Sequence, residues 1–151
     1  MKVVLFDMDG TLTPARQKIS KQMVDTLINV QKKGYNVGIV SGSDIDYITE
    51  QCDLLFDLNS FDFEKAMWFP CNGTKQYSFC SNGQKSMLYK QDFKEHVGAK
   101  NYNNIIKILL DSQIAVRYSL GGSEMTLSGT FIQYRGSTIN WCPIGRDATT
   151  T

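Results

Sequence analysis

Val3-Val4-Leu5-Phe6-Asp7-Met8-Asp9-Gly10-Thr11-Leu12-Thr13 sets an apolar run of strand length against a polar loop that opens with two carboxylates. Residues two apart in extended chain project to the same side, so Asp7 and Asp9 point together while Met8 turns into packing. Gly10 supplies the backbone freedom to leave a sheet, and Thr11 offers a hydroxyl and an amide. In a partly desolvated cleft the two carboxylates repel, which raises one pKa or requires a cation. A phosphate bound there adds negative charge that Mg²⁺ neutralises. Taken alone, the same residues equally suit a solvated turn that ends a strand, Asp9-Gly10 being common turn chemistry.

Working outward, Ile19, Met23, Leu27 and Val30 recur at helical intervals, and Gly34 behind Lys32 and Lys33 marks a helix end. Val37 to Val40 is a second short β-branched run, so strand, helix and strand follow one another and predict a right-handed crossover in a mostly parallel sheet. Val40 runs into Ser41-Gly42-Ser43-Asp44, where Ser43 or Asp44 can cap a short helix through Ile45, Ile48 and Cys52. Ser41 is thereby expected at the same carboxyl edge as Asp7. Open α/β sheets bind ligands along that edge, and free amides at a helix start suit phosphate. The plainer reading of 41–44 is a capping loop.

Beyond Met67 to Pro70 the texture changes. Thr74 to Phe79, Ser81-Asn82-Gly83 and Lys85 to Tyr89 read as a hairpin. A helical stretch follows from about Asp92 to Ser112, and Met125 to Trp141 holds a pair of strands turned at Gly136-Ser137. This second half is mixed α+β, and the expected division is 1–76 and 77–151.

The 151 residues suffice for one compact domain, or a small one with an attachment. A hydrophobic share of 42% argues against intrinsic disorder, and sixteen basic against fifteen acidic residues argue against nucleic acid or an anionic membrane as partner. Val3 to Phe6 is too short for a signal peptide, and Ile105 to Leu110, broken by Lys107, is too short for a membrane span. Cys52, Cys71, Cys80 and Cys142 form no CxxC pair and there is a single His, His96, so the cysteines read as reduced thiols of a cytoplasmic protein rather than a zinc site or disulfide framework. By themselves Arg135 and Arg146 read as solvated surface residues, and His96 as a surface or packed one.

The strand-Asp7-x-Asp9-Gly10-Thr11 and strand-Ser41-Gly42-Ser43-Asp44 segments resemble the first two motifs of the haloacid dehalogenase superfamily of phosphotransferases. More narrowly, Asp9 to Thr13 with Arg16-Gln17-Lys18-Ile19, Phe69-Pro70 with Asn72-Gly73, Gly129-Thr130-Phe131-Ile132 with Tyr134-Arg135, and Asn140 with Pro143-Ile144-Gly145-Arg146 are similar to the eukaryotic-type phosphomannomutases. The chain departs from that pattern at Cys71, where the family places Glu, and at Ser41-Gly42-Ser43, where Gly-Gly-Ser is common.

The resemblance implies an α/β fold, a haloacid dehalogenase-like parallel-sheet core with an α+β cap, both partial. It implies interconversion of mannose 6-phosphate and mannose 1-phosphate for GDP-mannose synthesis, with Mg²⁺ and a hexose bisphosphate activator. Asp7 would be the nucleophile that becomes an aspartyl phosphate and a metal ligand. Asp9 would be the general acid/base and give its backbone carbonyl to the metal. Ser41, with Thr11 and the amides around Gly42, would hold the transferring phosphoryl group. Arg16, Arg135 and Arg146 would contact the sugar phosphate, Arg135 and Arg146 as a distal clamp because guanidinium forks phosphate bidentately. The implied partner is a small sugar phosphate, and the implied assembly a homodimer through the cap. A sugar-phosphate phosphatase using the same carboxylates, and a catalytically incomplete remnant that binds phosphosugar or dimerises, are the alternatives. Family members continue past this chain's last residue, and Asp147 to Thr151 offers helix caps with no helix after them, so a shortened version is expected.

Overall fold

The computed structural model describes residues 2–57, 60–119, 127–146 and 148. They form two compact units, Met1–Gln91 and Asp92–Thr151. The division falls at 91/92 rather than at 76/77, because the hairpin after residue 74 is hydrogen-bonded onto the first unit's sheet.

In the first unit β1 (Val3–Asp7) runs through α1 (Lys21–Lys32) to β2 (Asn36–Val40), with β1 and β2 parallel in the register Leu5↔Gly38 and Asp7↔Val40. Ser20 caps α1 by accepting from the Met23 amide at 3.2 Å, and Gly34, at φ 84, reverses the chain after it. Asp44 caps α2 (Ile45–Gln51), and α3 (Leu54–Asp57) follows. A 3₁₀ turn, Phe63–Lys65, leads into β3 (Ala66–Phe69), parallel to β2. The single turn α4 (Pro70–Gly73) then feeds β4 (Lys75–Phe79) and β5 (Lys85–Lys90), both antiparallel to their neighbours. The sheet order is β1-β2-β3-β4-β5.

Among the described residues, one face of this sheet is thickly covered. Phe6, Val37, Ile39, Ala66, Trp68, Tyr77 and Phe79 pack with Val24, Leu27 and Ile28 of α1, Ile45 and Ile48 of α2, and Leu55 of α3. Gln31 ties α1 to the chain before the 3₁₀ turn with both ends of its amide: Nε2 donates to the Asp62 carbonyl at 2.8 Å, and Oε1 accepts from the Asp62 amide at 2.9 Å. On the opposite face Leu5 lies across Gly38, where a Cβ would collide with its Cδ2, and Leu5 remains 58% exposed.

The second unit holds α5 (Phe93–Ser119), broken at Gly98 (φ 78, ψ 154), and the antiparallel pair β6 (Ile132–Tyr134) and β7 (Ile139–Trp141). Asp92 starts α5 by accepting from the Glu95 amide at 3.2 Å. Gln113 of α5 ties down the hairpin region by donating to the Pro143 carbonyl and accepting from the Trp141 indole. Met125 and Asp147, with Thr149 to Thr151, lie outside the described residues.

Candidate functional site

The loop leaving β1 is built on one carbonyl. Met8, fully buried, accepts at its backbone oxygen from the amides of Thr11, Leu12 and Thr13 at 3.3, 3.0 and 3.0 Å and from the Thr13 hydroxyl at 3.3 Å. The Gly10 amide returns a 2.7 Å bond to the Thr13 carbonyl, with Gly10 at φ 82. Met8, Leu12 and Thr13 face inward, which leaves Asp7, Asp9 and Thr11 exposed around them.

Asp9 is held in place. Its Oδ1 accepts from the Tyr47 hydroxyl at 2.9 Å and from the Arg16 amide at 3.3 Å, and Arg16 itself adopts a left-handed backbone at φ 58. Burial pushes the Tyr47 phenol upward, as does its bond to Asp9, so it stays a protonated donor at neutral pH.

The register Asp7↔Val40 places Ser41 one residue past β2, beside the end of β1. Adjacent strands lie about 4.8 Å apart, so the two strand ends open on one edge. Ser41 is buried, and its Oγ accepts from the Ser43 amide at 3.1 Å. The loop is clasped by α4: the Asn72 amide donates to the Ser41 carbonyl at 2.8 Å and the Cys71 amide to the Ser43 carbonyl at 2.9 Å. Cys71 and Asn72 are left-handed (φ 52 and 58), a strain that commonly collects where a fold holds functional loops. A Cβ at Gly42 would stand 3.3 Å from Asn72 Oδ1, close enough that the Asn72 side chain would have to shift by a few tenths of an ångström.

The first unit thus gathers Asp7, Asp9, Thr11, the Arg16 backbone, Ser41 and Gly42 at one sheet edge. Arg135 and Arg146 belong to the second unit. Arg135 opens the β6–β7 turn, its amide bonded to the Thr138 carbonyl at 2.9 Å, while the Arg146 amide bonds to the Thr130 carbonyl at 3.0 Å, before β6 begins. Their backbones therefore flank opposite ends of β6, roughly 16 Å apart along extended chain. A depression of about 410 Å³ in this unit is lined by Asp92, Lys94, Glu95, Gly98, Ala99 and Tyr134, and by neither arginine.

Sequence reasoning missed Tyr47 and Lys75. Lys75, at the start of β4, is 8% exposed and donates to Asp44 at 2.9 and 2.7 Å. Burial alone lowers its pKa; the hydrogen bond and charge of Asp44, with Cys71 and Tyr77 nearby, lift it above the ordinary lysine value. Both partnerships join residues more than thirty apart in sequence, and only the spacing of Tyr47 three residues after the cap Asp44 hinted at a shared edge.

Asp7 and Asp9 fit Mg²⁺ as a donor set. They are hard oxygen ligands on an exposed edge, and Mg²⁺ commonly takes one or two carboxylates plus substrate phosphate and water. Among the described residues no group of three or more His, Cys, Asp or Glu is placed to hold an ion by protein ligands alone.

Solved structures share this architecture. A haloacid dehalogenase-like hydrolase from B. subtilis superposes over 74% of this chain and 34% of its own (TM-score 0.57, 17% identity), and the ATP-bound IMP-nucleotidase of Plasmodium falciparum over 92% and 34% (TM-score 0.66, 15% identity). The fold is that of the haloacid dehalogenase-like proteins. The eukaryotic phosphomannomutase profile matches residues 23–151, and the chain belongs to that family. It is 36% identical to the phosphomannomutase of Schizosaccharomyces pombe over 98% of this chain and 52% of that protein, and 36% identical to human phosphomannomutase 1 over 96% and 50%. It spans about half the length of the curated relatives it matches. Among the described residues no helix is long and apolar enough to cross a membrane.

Proposed function

We propose that this chain carries the phosphoryl-transfer edge of a phosphomannomutase, interconverting mannose 6-phosphate and mannose 1-phosphate for GDP-mannose synthesis with a hexose bisphosphate as activator. The observation that carries the reading is the Asp7↔Val40 register, which sets two carboxylates and the Ser41 loop at one edge. Asp7 attacks phosphorus of the bisphosphate; a P–O bond to the sugar breaks as Asp9 protonates the leaving oxygen, leaving an aspartyl phosphate. Asp9 then takes the proton from the free hydroxyl of a mannose monophosphate as that oxygen attacks the aspartyl phosphate and the Asp7–phosphorus link breaks; the bisphosphate so formed turns over and returns its other phosphoryl group to Asp7, releasing the isomeric monophosphate. Ser41, Thr11 and the Gly42 amide orient the phosphoryl oxygens. Bound at Asp7 and Asp9, Mg²⁺ supplies neutralisation of the phosphoryl charge.

The first unit acts as the core part and the second as the cap part, with Arg16, Arg135 and Arg146 on the sugar phosphate. Leu110 and Ile114, one turn apart and 52% and 59% exposed on α5, support pairing of two copies through the cap. The free thiols of Cys52, Cys71, Cys80 and Cys142 support a reducing, cytoplasmic setting. A coupled assay of mannose 1-phosphate isomerisation, with and without hexose bisphosphate, tests the reading. Activator-dependent turnover lost in Asp7→Asn supports it; phosphate release without isomerisation rejects it.

A further inference from the structure

The start of α2 carries two carboxylates, the cap Asp44 and Asp46 of the first turn, directly after the loop proposed to receive a phosphoryl group. Left uncompensated, each repels an anion. The β4–β5 hairpin answers both: Lys75 Nζ lies 2.7 Å from Asp44, and Lys85 Nζ lies 3.5 Å from Asp46. The two pairs differ in character. Asp46 is almost fully exposed, so water and salt screen its charge. Asp44 adjoins Ser43, its partner Lys75 is buried, and both carboxylate oxygens are engaged by the ammonium.

The cap does not need this lysine. Asp44 Oδ1 already accepts from the Ile45 amide at 2.7 Å, a bond that an uncharged Asn side chain supplies equally well. The desolvation cost of burying the ammonium is offset by its pairing with Asp44, and the cap bond itself needs neither charge. What the lysine does beside the loop is compensate the carboxylate charge next to Ser43. Shape is secured independently, by the Asn72 and Cys71 amides on the Ser41 and Ser43 carbonyls.

We propose that Lys75 is a positioning residue of the phosphoryl site, neutralising the Asp44 carboxylate so that the Ser41–Ser43 loop can accept a phosphate dianion. The inference rests on the assignment of that loop to phosphate. Its test is calorimetric titration of inorganic phosphate, with Mg²⁺ present, into the unaltered chain, Lys75→Met, Asp44→Asn and the double variant, each checked for folding by its thermal transition.

Lys75→Met unmasks Asp44 and is expected to weaken phosphate binding on the order of tenfold, the scale of one nearby charge in a partly solvated site. Adding Asp44→Asn removes the unmasked charge and is expected to restore affinity to within about threefold. Were Lys75→Met not to fold, Lys75→Gln, which also removes the charge and keeps most of the stem, takes its place under the same expectations. Undiminished binding by Lys75→Met, or a double variant as weak as Lys75→Met, overturns the role of Lys75 while leaving the loop assignment intact. Failure of the unaltered chain to bind phosphate at all overturns the loop assignment and this inference together.

Discussion

Asp9 owes its placement to two donors, and each can be removed singly. Tyr47→Phe deletes the 2.9 Å bond to Oδ1 and leaves the ring's packing in place, so a loss of about 1 kcal/mol in urea unfolding is expected. Gly10→Ala places a Cβ in open space but at φ 82, so its cost is backbone strain alone, about 1–2 kcal/mol. Gly10→Asn should lose measurably less, because Asn tolerates that conformation; equal losses would point to a role for the glycine other than its φ. At this scale the placement of Asp7, Asp9 and Ser41 at one sheet edge was legible, since strand alternation and strand ends are written locally. Tyr47 and Lys75 were not, because each acts on a residue that only the folded sheet edge brings near. Asp44, by contrast, was one of two caps open to the sequence, and its bond to the Ile45 amide decides between them.

Among elements, the two faces of the sheet should respond unequally to the same truncation. Leu27→Ala empties a fully buried position between α1 and the sheet and is expected to cost about 2–5 kcal/mol, while Leu5→Ala, on the open face, should cost under about 1 kcal/mol. Denaturant midpoints of the two variants check this, and comparable losses would show that the open face is covered in solution. The crossover β1-α1-β2 and the β4–β5 hairpin were legible from apolar period and turn residues. The hairpin's turn is wider than Asn-Gly alone predicts: Cys80 pairs with Gln84 through a 2.9 Å bond, and Gly83, at φ 78, closes it. β3 escaped the sequence reading because Ala66-Met67-Trp68-Phe69 lacks the β-branched residues that marked Val37 to Val40, and it is defined by its pairing with β2. Helix α5 was expected to end near Ser112; it continues to Ser119, and it breaks at Gly98, where φ and ψ take values only glycine adopts readily.

For the whole molecule, stability should fall on the alkaline side. Burial pushes the Cys52 thiol up to about 12, so the folded chain keeps a proton that the unfolded chain releases near pH 9. Lys75 likewise holds its proton above the ordinary lysine range. Both contributions are complete below about pH 9 and fade as pH rises through the folded values. Melting temperatures from pH 7 to 11 should decline, and Cys52→Ala should flatten the onset of that decline while lowering stability at neutral pH. An unchanged slope in Cys52→Ala would remove the thiol from the explanation.

The central claim is that Asp7 accepts a phosphoryl group at the edge it shares with Ser41. The most direct measurement is chemical trapping: incubate the chain with Mg²⁺ and hexose 1,6-bisphosphate, reduce with borohydride, and map the modified residue by peptide mass spectrometry. An acyl phosphate on Asp7 is reduced to a homoserine at that position, absent without bisphosphate and absent in Asp7→Asn. An unmodified Asp7 under these conditions, or reduction at another carboxylate, contradicts the account.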